Sequence, residues 1–239
     1  MTMSDNRLLF DGNEKQIFAT EDPDRVIIRY KDVATAFGGI KRATITNKGI
    51  LNNKISALMF RFLEEAGIRT HFIRTVDERS QLCYKVGLIP LELIVRNYVA
   101  GSMAERLGLQ EGMKPANTIL ELGYNNDELG DPLINDHHAV ALGFVTYEEL
   151  DGMYATARKV NDVLRDVFSR CGIRLVDFRI EFGRAADGAI ILSDEISPDT
   201  CRLWDEKTLE KLDKDRFRHD DGNIIEAYIE VYNRLNNLQ

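Results

Sequence analysis

The chain has 239 residues, 44% hydrophobic and 29% charged, an ordinary globular composition that can fill one large domain or two small ones. Its 31 Lys and Arg against 39 Asp and Glu give a net charge of -8, which disfavours a nucleic-acid surface and points to a small-molecule partner, with room for a local basic pocket. The opening MTMSDNR leads into a polar stretch rather than a signal-peptide apolar region, and no run approaches the ~18 apolar residues of a membrane span, so a cytoplasmic protein without a membrane partner is expected.

Cys83, Cys171 and Cys201 are an odd number without CxxC spacing, which favours reduced thiols over disulfides or a zinc site. In chain order, RLLFDGNEKQIFAT and DRVIIRYKD read as short strands, with DGN and DPD as turns. Ile55, Leu58, Met59, Phe62 and Leu63, spaced three and four apart and closed by Gly67, predict an amphipathic helix. Strand-like THFIRTV and the apolar run VGLIPLELIVRNYV follow, and Pro90 in that run argues for an edge, a bulge or a hinge. MAERLGLQEG reads as a short helix, and residues 113–137 as polar and loop-rich. His137 and His138 are adjacent, and neighbouring side chains rarely converge on one metal. A long helix from Tyr147 to about Cys171, further strands and a helix in NIIEAYIEVYNRL complete an α+β pattern with a smaller N-terminal sheet domain and a larger second lobe.

Between residues 174 and 197, Asp177, Arg179 and Glu181 alternate with Val176, Phe178, Ile180 and Phe182, so a strand here has one polar and one apolar face. Asp187-Gly188 is a favoured two-residue loop; with it as the turn, Ala186 pairs with Ala189, and Glu181 faces Asp194. Directly opposed residues lie about 5 Å apart at Cβ, where two bare carboxylates would repel. Arg179 or another basic side chain, or solvent on an open face, could relieve that repulsion; so could a divalent cation such as Mg2+, which is often held by one or two carboxylates plus phosphates. A loop one residue longer would move Asp194 to the opposite face. Gly12 with Lys15 is either a plain turn or a place where backbone N–H groups and an ammonium meet phosphates. Arg202, Lys214, Arg216 and Arg218 suit a phosphorylated substrate, unless Asp213, Asp215, Asp220 and Asp221 simply pair with the neighbouring cations on a solvated face.

NKGILNN (47–53), IPLELIVRNYVAGS (89–102), DELGDPLIN (127–135), LVDFRIEFG (175–183) and SDEISPDTCRLWD (193–205), followed by LDKDRFR, resemble the SAICAR synthetase family in order and spacing nearly end to end. The resemblance implies a two-lobed α+β ligase with ATP in the cleft between an N-terminal lobe (1–87) and a C-terminal lobe (88–239). It implies that the carboxylate of carboxyaminoimidazole ribonucleotide (CAIR) is joined to the amine of L-aspartate through an acyl phosphate. By the same resemblance Glu181 and Asp194 hold Mg2+ on the ATP phosphates, Gly12, Asn13 and Lys15 cover those phosphates, and Lys85 and Leu88 border the adenine. Arg96, Ser102, Arg202, Lys214 and Arg218 bind the nucleotide substrate, Asp177 and Arg179 act at the reacting centre, and a homodimer is expected. The chain departs from the family pattern at several positions. Members commonly read GKAK where this chain has Gly12-Asn13-Glu14-Lys15, and KDD, then ATAFNG, where it has Lys31-Asp32-Val33 and Gly38. Lysine is usual at the positions of Asn125 and Arg179.

Overall fold

The structure is a computed structural model and describes residues 7–36 and 39–238; the departure at Gly38 lies outside them, as does most of the opening MTMSDNR. β1 (Leu8–Asp11), β2 (Lys15–Ala19) and β3 (Arg25–Tyr30) follow the predicted turns, and a hairpin of β4 (Val33–Ala36) and β5 (Lys41–Thr44) comes next. Helix α1 (Lys48–Glu65) leads to β6 (Phe72–Asp77) and β7 (Ser80–Tyr84), which complete an antiparallel five-stranded sheet in the order β1-β2-β3-β7-β6. Val26, Ile28 and Tyr30 alternate along β3 and pack with Cys83 into this sheet's own small core.

A second sheet takes most of the remaining chain. β8 (Gly87–Arg96) is followed by α2 (Ser102–Leu107), β9 (Ile119–Tyr124), β10 (Leu133–Ile134), α3 (Asp136–Ala141) and α4 (Tyr147–Arg170). β11 (Ile173–Arg184), β12 (Ile190–Ser193) and β13 (Cys201–Asp205) come next, then α5 (Asp215–His219) and α6 (Ile224–Asn236). The strand order is β10-β9-β8-β11-β12, with β13 also on β11. β11 therefore has β8 along one edge and divides the other between β13 and β12.

The main core lies between the apolar face of this sheet and the helices. Phe178, Ile180 and Phe182 of β11 are buried with Leu150, Met153, Ala157, Val160 and Leu164, the three-and-four stripe of α4. Thr146 and Glu149 close the start of α4 as a reciprocal capping box. Helix α1 buries its predicted stripe in the same core, but it also buries Lys48, Asn52 and Ser56 along a second, polar stripe at i, i+4 and i+8. Its start has no side-chain cap of its own; Asp32 accepts from the N–H groups of Asn47 (3.2 Å) and Gly49 (2.9 Å) while pairing with Arg79.

Three expectations need correction or refinement. Residues 113–137 are loop-rich as expected but also hold a strand that the sequence pattern did not separate from the loops: β9 occupies 119–124 beside β8, in the apolar run ILELGY between polar flanks. The hairpin register is one residue off the expected one, because Ala185 rather than Ala186 pairs with Ala189 and the loop is Ala186-Asp187-Gly188; the Asp187 carboxylate accepts from the Ala189 N–H at 3.0 Å and shapes the longer turn. Glu181 accordingly lies opposite Ser193, not Asp194. Pro90 sits inside the sheet rather than at its edge. It falls in a bulge, where residues 89–91 of β8 oppose Phe182 alone, so no ladder bond needs its missing N–H. Cys83, Cys171 and Cys201 are free thiols, and among the described residues no helix is long and apolar enough to cross a membrane.

Candidate active site

The split beside β11 creates the site. The chain leaves that edge at Ser193 and rejoins it at Cys201, and the segment between, with Asp194, Glu195 and Asp199, lines a cleft of about 690 Å3. Arg179 and Glu181 from the polar face of β11 and Glu92 from β8 form the floor, and Gly12, Asn13 and Lys15 from the β1–β2 turn face them. Lys85 and Leu88, at the join between the two sheets, form an exposed rim. A Cβ on Gly12 would stand 2.7 Å from the exposed Phe10 ring and 3.3 Å from the Lys15 carbonyl, so a larger residue would have to push that ring aside and crowd the turn.

Asp194 reaches this cleft through its backbone. It has φ +66°, a left-handed conformation that aspartate tolerates better than most side chains and that returns its carboxylate to the Glu181 side despite the shifted register. Lys15 bonds Asp194 and lies 3.1 Å from Glu195, so it supplies the positive group expected near the acidic pair; Arg179 instead lies 3.8 Å from Glu92. Burial works against the Lys15 charge, yet Asp194 and Glu195 hold its ammonium well above the ordinary lysine range. Burial likewise opposes ionisation of Asp194, but Lys15 keeps its carboxyl low. Glu181 has no hydrogen-bond or ion-pair partner among the described residues, and burial together with Asp194 pushes it up to about 8. A half-buried carboxylate without a partner, beside a second carboxylate at the open cleft, is a hard-oxygen donor set that suits Mg2+.

The polar stripe of α1 meets the same segment from behind. Lys48 and Asn52 bond Asp199, the Tyr228 hydroxyl donates to it at 2.5 Å, and Ser56 accepts from the Ile196 N–H at 3.2 Å. Burial opposes the Asp199 charge, but Lys48 and Lys214 drive its pKa far below the ordinary range. Asp199, Glu195 and Glu14 bring oxygens within 4.8 Å of one another, and the Lys48 ammonium already bonds Asp199 and lies 3.7 Å from Glu14. Sequence reasoning missed Glu14, Lys48, Glu195 and Asp199 as site residues. For Lys48, Glu195 and Asp199 the signal lay in NKGILNN and SDEISPDT, as polar side chains in stretches otherwise apolar enough to be buried.

Deeper along β11, Asp177 stands directly opposite Arg96 on one side and Arg202 on the other, and bonds them at 2.8 and 2.9 Å. Arg202 continues to Asp215 (2.8 Å) and Asp215 to Arg218 (2.5 Å), while Ser102 lies 3.4 Å from Arg96. Gly101, at φ +52°, leaves the space that the Arg202 guanidinium fills. Three of the predicted arginines thus form one chain with carboxylates, and Arg218 joins it to the cleft. The alternative in which neighbouring aspartates pair with these cations holds for Arg202 and Arg218, which share Asp215, but Asp213, Lys214, Asp215 and Arg216 are buried rather than on a solvated face. Of the departures, Asn13, Glu14, Asn125 and Arg179 line the cleft, and Val33 is half-buried opposite Thr44. His138 belongs to the cap of α3 and His137 meets Tyr147, so the two point to different partners.

The family model described as SAICAR synthetase matches residues 8–235. The chain is 58% identical over 233 residues to the phosphoribosylaminoimidazole-succinocarboxamide synthase of Fusobacterium nucleatum, covering 98% of each chain. A crystal structure of the enzyme of that name from Ehrlichia chaffeensis aligns with a TM-score of 0.94 at 43% identity, covering 96% of this chain and 98% of that one. A SAICAR synthetase (Type-2) in complex with ADP aligns at 0.93 and 47% identity over 96% and 97%. On these matches the chain belongs to the SAICAR synthetase family.

Proposed function

We propose that this protein is an ATP-dependent carbon–nitrogen ligase that condenses CAIR with L-aspartate to SAICAR in purine biosynthesis. The observation that carries the reading is one cleft that joins a glycine turn with Lys15, the Glu181 and Asp194 oxygens, and a guanidinium chain running to Asp177. A carboxylate resists amines because its charge repels them and oxide is a poor leaving group. Its oxygen therefore attacks the γ-phosphorus of ATP and ADP leaves; the aspartate nitrogen then attacks the acyl carbon, phosphate leaves, and the amine gives up a proton.

Phosphoryl transfer is mostly positioning and charge stabilisation. Gly12, Asn13 and Lys15 would lie along the ATP phosphates, with Lys85 and Leu88 beside the adenine. Glu181 and Asp194 would hold Mg2+, which when bound neutralises phosphate charge. Arg96, Ser102, Arg202, Lys214 and Arg218 would bind the phosphate and carboxylate of CAIR, while Asp177 orients the aminoimidazole and Arg179 faces the transferred group. In this reading the lobes divide at 87/88, and the protein acts in the cytoplasm as a homodimer, which light scattering would check. The residues at Asn13, Asn125 and Arg179 favour one second reading, a ligase of this family with another amine substrate. Mass spectrometry of products from ATP, Mg2+, CAIR and L-aspartate, run beside a panel of other amines, separates the two. SAICAR as the main product supports the first; a different adduct in preference to it supports the second.

A further inference from the structure

Glu14 is held as a ligand would be. Its Oε1 accepts from Lys214 Nζ at 2.6 Å, from the Thr35 hydroxyl at 2.8 Å and from the Thr35 N–H at 3.1 Å, and its Oε2 lies 3.7 Å from Lys48 Nζ. Two ammoniums, a hydroxyl and a backbone N–H converging on one carboxylate make the donor set of an oxyanion site. The donors come from β4, from the start of α1 and from the residue before α5, whereas the anion comes from the β1–β2 turn. Both ammoniums are nearly sealed, with Lys48 1% and Lys214 5% exposed, and of this group Glu14, Thr35 and Lys214 line the open cleft. The neighbouring carboxylates share cations, Lys15 between Asp194 and Glu195 and Lys48 between Asp199 and Glu14, so among the described residues Lys214 is the ammonium that pairs with Glu14 alone.

We propose that Glu14 is an internal anion that fills an oxyanion-binding site made by Lys214, Lys48 and Thr35, and that a phosphate or carboxylate group of a ligand must displace it to engage Lys214. Glu14 is then a positioning residue. It holds the glycine turn against β4 and Lys214 while the site is free of ligand, and it sets the affinity for whichever anionic group enters. The inference deepens the proposed function, since ATP and the carboxylated nucleotide both carry such groups, but the donor geometry stands whether or not that reading holds.

The test titrates inorganic phosphate by calorimetry into the full chain and into Glu14→Ala and Glu14→Gln. Removing the internal carboxylate should tighten phosphate binding at least about tenfold, the lower end of what charge-assisted hydrogen bonds supply. Adding Lys214→Met to Glu14→Ala should abolish the gain. Competition of phosphate with ADP and with CAIR in Glu14→Ala then identifies which ligand uses the site, and that ligand's KM should fall more than kcat changes. Phosphate affinity within about threefold of wild type in a folded Glu14→Ala variant overturns the proposal, as does a gain that survives Lys214→Met. Glu14→Gln keeps the shape, so failure of both single variants to fold would show a structural brace and also overturn it. Phosphate binding needs no turnover, so a chain inactive with CAIR and L-aspartate leaves this result to stand separately.

Discussion

Asp194→Asn isolates the charge that Asp194 contributes to the cleft. Asparagine has nearly the same shape and is, with aspartate, among the side chains best able to sit at φ +66°, so backbone strain does not enter. Lys15 keeps Glu195 at 3.1 Å as a partner, and Glu181 loses the neighbour that, after burial, most raises its pKa. What disappears is one formal negative charge from the proposed Mg2+ site. Loss of a single preorganised electrostatic group of this kind costs about a hundredfold or more in turnover, the equivalent of about 2.7 kcal/mol. Asp194→Ala is the useful contrast, because alanine pays about 1–2 kcal/mol for the left-handed backbone. At the 2–4 °C per kcal/mol typical of a chain this size, it should melt roughly 2–8 °C below the asparagine variant. Steady-state kinetics at saturating Mg2+ beside thermal melts measure both effects. A folded Asp194→Asn protein with turnover within about threefold of wild type would remove Asp194 from the metal site.

Lys48→Met leaves the buried Asp199 carboxylate with only Tyr228 and Asn52 as direct donors; it should cost about 3–5 kcal/mol, read as roughly 10 °C in melting temperature, and adding Asp199→Asn should restore part of it. A Lys48→Met protein as stable as wild type would show that the pair contributes nothing. Arg202→Ala should weaken CAIR binding by roughly 1.5–3 kcal/mol with little change in ATP affinity, while Arg7→Ala changes neither; equal losses for both ligands would place Arg202 at the wrong one. His71 is buried with no partner for its Nε2, and burial lowers its pKa from 6.5 to about 4. The unfolded chain therefore takes up a proton first as pH falls, so stability present above pH 6.5 is lost toward pH 4. By urea titration wild type should lose about 3 kcal/mol over that window relative to His71→Asn, and parallel curves would refute the assignment.

The sequence made the elements and the polar face of β11 legible because their signals are local. The stripes of α1 and α4 are periodic at three and four, and Asp177, Arg179 and Glu181 alternate with buried residues as a two-faced strand must. Asp177 could be placed on that face, but its partners Arg96 and Arg202 become neighbours only through sheet register, 81 and 25 residues away. The pairing of Glu181 with Asp194 was expected from a two-residue turn. In fact the turn takes three residues and a positive φ at Asp194 brings the carboxylate back to the cleft, so the two residues share a site for a different reason from the one the pattern offered. Glu14 was visible only as one member of an altered glycine turn, because its partner Lys214 lies 200 residues away. β9 was lost because ILELGY is short and interrupted by Gly123 between polar flanks, and its pairing with β8 is set by residues about thirty positions earlier in the chain.

The most direct measurement supplies CAIR labelled with 18O in its carboxylate, together with ATP, Mg2+ and L-aspartate, and follows the label by mass spectrometry. If the carboxylate is activated as an acyl phosphate, one 18O must pass from it to inorganic phosphate for each SAICAR formed, with ADP in equal amount. ATP consumed without SAICAR, or SAICAR formed with phosphate that carries no label, would contradict the account.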